Sequence, residues 1–162
     1  TDRKIVIFTH HQDVMTLLNA ELNEHKPLLM KGSLSAEDRY RLVMLFKDDP
    51  ARRVMIASTL AAGEGLNLQF CSDCIMMERQ WNPANEEQAE SRFHRYGQKN
   101  AVTAMYAIVS ETIDEYFTQL VEEKRAIVAG ALDNKEYHWN EASLMSELAM
   151  VLITKGKKAW KL

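Results

Sequence analysis

Lys4-Ile5-Val6-Ile7-Phe8-Thr9 is an unbroken apolar run behind a single lysine, and it reads as a strand buried on both faces. Directly behind it, Gln12 to Glu24 carries Val14, Leu17, Leu18 and Leu22 on one face of a predicted helix. A buried strand followed by an amphipathic helix is the repeating unit of a parallel sheet, and the unit recurs along the chain. Pro27 to Met30 is a second short strand. Ser35 then suits an N-cap, with Asp38 at the third helical position, opening a helix whose Leu42, Val43 and Phe46 face inward until Asp48-Asp49-Pro50 stops it. Arg53 to Ser58, Cys74 to Glu78 and Val102 to Val109 supply three more strands. Thr112 to Ala129 follows as a long helix with Ile113, Tyr116, Phe117, Leu120 and Val121 as its apolar stripe. The expected fold class is α/β, a three-layer α/β/α domain with a mostly parallel sheet, followed by C-terminal helices.

Polar loops leave the C-terminal ends of these strands, after Thr9, Met30, Ser58 and Glu78, and in an open parallel sheet that edge binds ligands. The loop from Thr59 to Leu68 contains Gly63 and Gly65 but no Walker lysine. Its glycines permit close backbone approach to phosphate or ribose, and tight turns require them equally. After the fourth strand, Asn82 can cap a helix and Pro83 can occupy its first position.

A chain of 162 residues suits one well-buried domain, and 46% hydrophobic with 27% charged residues is an ordinary globular balance. The net charge of -3 means that nucleic-acid contact must come from a local patch. There is no apolar run of roughly 18 residues and no signal-peptide core at the start, so no membrane partner is expected. The expected setting is intracellular: the nucleus, or the cytoplasm for a prokaryotic or viral parent. Cys71 and Cys74 have C-x-x-C spacing but neither a second cysteine pair nor a histidine cluster nearby, so they read as reduced, packing cysteines. His10 and His11 lack further ligands, and no metal site is expected.

Residues 88–98, Gln-Ala-Glu-Ser-Arg-Phe-His-Arg-Tyr-Gly-Gln, bring chemistry to this scaffold. Continued as a helix, they set Gln88, Arg92 and Arg95 within about 60° of one another, with Ala89, Phe93 and Tyr96 on an apolar stripe about 100° round. Two guanidiniums on a buttressed helix suit stabilisation of a transferring phosphoryl group. A solvated basic face is the other reading of the same pattern.

Taken in order, these segments resemble the C-terminal RecA-like lobe of the Swi/Snf-type ATPases, DNA translocases of helicase superfamily two. Lys4 to His11 resembles motif IV. Met30-Lys31-Gly32-Ser33-Leu34-Ser35-Ala36-Glu37-Asp38-Arg39 is similar to the family's "DGS…S..DR" segment, and Ser58 to Leu68 to motif V. Trp81-Asn82-Pro83 matches the W-N-P element, and Gln88 to Gln98 matches motif VI, Q-A-x-x-R-x-H-R-x-G-Q. The resemblance covers about Lys4 to Val128, which sets the expected boundaries: a helicase C-terminal lobe over 1–130 and a helical extension over 131–162.

The resemblance implies roles. Arg92 and Arg95 would be arginine fingers neutralising charge on the phosphates of ATP, which with Mg2+ is held mainly by a separate N-terminal lobe. Gln88, Gly65 and Asn67 would be cofactor-binding, Gln88 positioning the nucleotide and the other two lying near its ribose. Thr9, His10, Gly32, Ser33 and Thr59 would line a DNA-backbone track. Trp81 would stand at the DNA-facing edge and couple lobe closure to movement, or else act as a packing aromatic. The implied function is the C-terminal motor lobe of an ATP-dependent translocase or remodeller acting on duplex DNA, with the N-terminal lobe and the duplex as partners.

Ala62 and Tyr96 depart mildly from the family pattern, where glycine and isoleucine are common. The chain has neither a Walker A loop nor a Walker B segment, so it is expected to be inactive alone and to derive from a parent continuing upstream. An inactive nucleic-acid or protein binding scaffold, and the lobe of an RNA helicase, remain the other classes compatible with it. Beyond Ala131, Glu141 to Thr154 has helical spacing. The Lys155, Lys157, Lys158, Trp160 and Lys161 tail suits either DNA phosphate or a solvated helix end.

Overall fold

In the computed structural model Ile5–Thr9 forms the central strand, β1, and its side chains alternate between two apolar layers. The structure describes residues 3–62, 66–80 and 82–131, with 146, 149–150 and 153–154 beyond them. Two units divide the chain, Thr1–Ala107 and Ile108–Leu162. The first contains Leu28–Met30 (β2), Val54–Ser58 (β3), Asp73–Met76 (β4) and Thr103–Tyr106 (β5). All five strands pair in parallel in the order β2-β3-β1-β4-β5.

That order dictates where the helices go. Only the connection from β1 to β2 travels towards the β2 edge; those leaving β2, β3 and β4 travel the other way. Right-handed crossovers therefore put the first connection on one face and the rest on the opposite face. Accordingly Gln12–Glu21 (α1) packs Met15, Leu18 and Leu22 against Ile7, Val54 and Ile56. Ala36–Asp48 (α2), Thr59–Ala62 (α3) and Pro83–Glu90 (α4) contribute Val43, Phe46, Ala61 and Ala89 to the other layer, over Val6, Phe8, Met55, Cys74 and Met76. The result is the expected three-layer α/β/α arrangement, with the outgoing connection of β1 on the opposite face from those of its neighbours β3 and β4.

Local signals explain the helix ends. The Ser35 hydroxyl accepts the Asp38 N–H at 3.1 Å and donates to the Asp38 carboxylate at 2.7 Å, the anticipated capping arrangement. Asn82 caps α4 by accepting the Ala84 N–H at 3.0 Å, with Pro83 in the first position.

Several boundaries differ from the expectation. Helix α1 stops at Glu21 and gives way to a 3-10 turn at Asn23–His25, closed by Lys26 in the left-handed region at φ 48°. Its inward face centres on Met15, which leaves Leu17 exposed. Strand β5 covers only Thr103–Tyr106, because its partner leaves the ladder at Met76, whose carbonyl takes a last hydrogen bond from Ala107 N–H at 2.9 Å. In the second unit Ile113–Ala131 (α5) forms the long helix, with the Thr112 hydroxyl accepting the Asp114 N–H at 3.2 Å. The expected helix from Glu141 lies largely outside the described residues, of which Ser146, Ala149, Met150, Ile153 and Thr154 are helical.

Cys71 and Cys74 are free, buried thiols in the layer beneath α2 and α4. Burial pushes them up from 9.0 to about 11 and about 12, the reverse of a redox nucleophile.

Candidate functional site

The C-terminal edge of the sheet gathers the motif residues that follow β1, β2 and β3. Thr9 is directly in register with Ser58, and Thr59 follows as the first residue of α3. Gly32 lies beside them: a Cβ built there would stand 3.9 Å from the Ser58 Oγ. The Gly32 carbonyl is held by Arg39 Nη2 at 2.9 Å, so the arginine of the "S..DR" segment braces the loop after β2. His10 and Ser33 are exposed. The Thr9 and Thr59 hydroxyls are buried and have no hydrogen-bond partner within the described structure. Such orphaned donors are rare in folded proteins.

Glu78 joins this edge to the next strand. Its carboxylate accepts the His10 N–H at 2.7 Å and the His11 N–H at 3.4 Å, tying the exit of β1 to the exit of β4. The edge where β1 diverges from its neighbours is thus closed by a carboxylate–backbone clasp, at the position where open α/β sheets take their ligands.

The arginine pair sits elsewhere on the same unit and differs from the anticipated helix stripe. Helix α4 ends at Glu90; residues 91–97 continue as successive turns. The Ser91 hydroxyl donates to the Gln88 carbonyl at 2.7 Å and competes with continuation of the helix ladder. Gly97 adopts φ 100°, which L side chains rarely take. Gln88 therefore stands exposed on α4, while Arg92 and Arg95, both half-buried, follow in the turns beyond it. Tyr96, expected on an apolar stripe, is fully exposed, but Ala89 and Phe93 are buried as anticipated.

Phe93 anchors the turn between the two arginines. The flanking guanidiniums feel each other: partial desolvation, and then the positive charge of Arg95, lower the Arg92 pKa from its usual range. The Arg92 carbonyl accepts the Leu68 N–H at 3.2 Å, so the segment carrying Asn67 runs beside the arginine turn. The Asn67 side chain accepts the Gln69 N–H at 3.4 Å and lines a cavity of about 630 Å³ with Arg39, Tyr40 and Phe70. Gln98, the last residue of motif VI, is structural: its Nε2 donates to the Cys71 carbonyl at 2.9 Å. Gly65 and Trp81 lie outside the described residues.

Sequence reasoning missed a buried ion pair in this unit. Glu86, fully buried, accepts Arg79 Nε and Nη2, both at 2.9 Å, together with the Gln80 N–H at 2.7 Å. The Arg79 guanidinium lies 4.3 Å from the Tyr106 ring centroid, and the Tyr106 hydroxyl donates to Glu90. A signal was available. Glu86, Ala89, Glu90 and Phe93 share one helical stripe, and an acid at an inward position requires a cationic partner.

The fold and this motif set define a RecA-like helicase lobe, in which a parallel sheet carries ordered motifs at its strand exits. Residues 1–97 match the helicase conserved C-terminal domain, and the chain belongs to that family, on its Swi/Snf branch. It is 32% identical over 135 residues to the DNA annealing helicase and endonuclease ZRANB3 of Homo sapiens, across 82% of this chain and 12% of that protein. It is also 32% identical over 150 residues to the DNA repair protein RAD5B of Arabidopsis thaliana, across 91% of this chain and 12% of the relative. The crystal structure of the C-terminal part of the Fun30 ATPase domain superposes with a TM-score of 0.70 at 31% identity, covering 74% of this chain and 39% of that one. The chain thus spans 12% of the length of each of these two curated relatives. Among the described residues no helix is long and apolar enough to cross a membrane.

Proposed function

We propose that this chain is the C-terminal motor lobe of an ATP-dependent translocase or remodeller acting on duplex DNA, spanning residues 1–130 with 131–162 as an extension. Arg92 and Arg95 are its arginine fingers. One observation carries the assignment: the two guanidiniums flank the buried Phe93, interact electrostatically, and stand on a segment tied through Leu68 to motif V. Paired, permanently charged forks held by a packed anchor suit charge stabilisation on a phosphoryl group, where positioning and electrostatics supply most of the catalysis.

The residues present fit the anionic part of a nucleotide. The described residues hold no cluster of three or more His, Cys, Asp or Glu able to hold a metal, and this reading assigns Mg2+ and most of the nucleotide to a preceding N-terminal lobe. When bound there, ATP supplies the phosphoryl group whose transfer to water drives the cycle. Arg92 and Arg95 neutralise the charge that develops on that group, Gln88 orients the nucleotide, and Gly65 and Asn67 meet its ribose. Alone, the 162-residue chain hydrolyses nothing.

The second part of the reading concerns DNA. His10, Gly32 and Ser33 stand exposed at the strand exits beside Thr9 and Thr59, and on this reading the five line the track of the DNA backbone. On this reading Trp81 couples lobe closure to movement along the strand. Contacts of this type carry little sequence preference, and because both lobes would hold the phosphate backbone, their closing and opening would step one along the duplex relative to the other. The DNA-centred names of the relatives agree with a nuclear setting.

The test is Arg95→Ala in the full-length protein. Steady-state ATP hydrolysis is expected to fall by about a thousandfold or more with the fold retained. Normal turnover would remove the finger assignment.

A further inference from the structure

Helix α4 has only eight residues and is too short to hold itself in place. Two polar ties fix it. At its first turn the buried Glu86 is gripped by both arms of the Arg79 fork and by the Gln80 N–H. At its last residue Glu90 receives the Tyr106 hydroxyl, and the Tyr106 ring is the surface on which the Arg79 guanidinium lies. Arg79 follows β4 and Tyr106 ends β5, so two adjacent strand exits hold both turns of the helix. Two residues beyond Glu90 the chain presents Arg92.

We propose that Arg79 and Glu86 are positioning residues for ATP hydrolysis, setting the angle at which α4 delivers Arg92 and Arg95; this rests on the finger reading above. An apolar contact permits a helix to slide and rotate. A bidentate guanidinium–carboxylate pair fixes both, because the planar fork has one satisfying orientation. Stability alone does not call for the pair, since burying two charges costs much of what their attraction returns, and a well-packed apolar pair of similar volume commonly stabilises as well. Geometry is what the ion pair adds. A displacement of about 1 Å at a catalytic group costs about a hundredfold in rate.

The experiment uses the full-length protein with duplex DNA and compares Arg79→Lys, the double variant Arg79→Met/Glu86→Leu, and Arg95→Ala. Thermal unfolding, kcat, KM for ATP and duplex affinity are measured for each. Arg79→Lys keeps the charge but loses the fork. It is expected to lower kcat by about ten- to a hundredfold, with KM and DNA affinity within about twofold of the parent. The apolar double variant is expected to unfold near the parental temperature and still turn over slowly. A purely structural pair would recover turnover as it recovers stability. Parental kcat in Arg79→Lys, or in a double variant of parental stability, overturns the proposal. Arg95→Ala separates the two readings: if it is inactive while the Arg79 and Glu86 variants turn over normally, only the positioning role falls. Normal turnover in Arg95→Ala removes the finger reading itself.

Discussion

Phe93 meets Phe8 edge to face, with ring centroids 6.0 Å apart and planes at 90°. Phe8 belongs to the central strand and Phe93 to the turn between Arg92 and Arg95, so one aromatic contact joins the middle of the sheet to the arginine segment. Both rings are fully buried. Phe93→Ala is expected to cost about 3–5 kcal/mol of stability in denaturant unfolding, because it opens a cavity in the larger apolar layer. Phe93→Leu should retain most of that stability. A loss within about 0.5 kcal/mol for the alanine variant would mean that the turn is not anchored there.

Gly97 makes a second, independent prediction. Its φ of 100° strains any L residue, although the nearest neighbour of a Cβ would be the Gln69 side chain, at an ordinary 3.5 Å. The cost of Gly97→Ala is therefore conformational, about 1–3 kcal/mol by chemical denaturation. Because Gln98 follows directly and braces the Cys71 carbonyl, the same substitution should loosen the arginine turn and lower turnover in the full-length protein.

Much of this architecture was legible in the residues. The run from Ile5 to Thr9, the all-buried Val54–Ser58 and the Ser35–Asp38 cap are local signals, and each appears in the fold as read. The end of α4 was not legible. A helical stripe through Gln88, Arg92 and Arg95 is a valid continuation of the sequence pattern, but the Ser91 side chain bonds back to Gln88 and Gly97 turns left-handed. The turn still sets the two half-buried arginines on either side of the buried Phe93. The Arg79–Glu86 pair escaped notice because its partners lie on either side of the Asn82 cap and meet only when the helix folds back over the sheet.

The buried thiols give a pH dependence. Folding raises Cys71 from 9.0 to about 11 and Cys74 to about 12, chiefly by desolvation, so between about pH 9 and pH 11 the unfolded chain loses protons that the folded chain keeps. The stability contributed by the protonated thiols is full below pH 9 and declines as pH rises through that window. Denaturant unfolding from pH 8 to pH 10.5 should show the decline, reduced in Cys71→Ala/Cys74→Ala measured against its own pH 8 value. Thiol-specific labelling at pH 8 should be slow until the protein unfolds, and fast labelling of the native protein would contradict the burial.

Ser35 provides a test of the α2 boundary. Ser35→Ala removes the acceptor for the Asp38 N–H and is expected to cost about 1 kcal/mol in thermal or denaturant unfolding. Ser35→Asp should recover most of it.

Steady-state ATP hydrolysis by the full-length protein, alone and with duplex DNA, single-stranded DNA or RNA, beside the same assay on the 162-residue chain, tests the central claim most directly. Strong stimulation by duplex DNA in the full-length protein, with no hydrolysis by the isolated chain, is the predicted result. A full-length protein that hydrolyses no ATP under any of these conditions, or one stimulated by RNA and indifferent to duplex DNA, would contradict it.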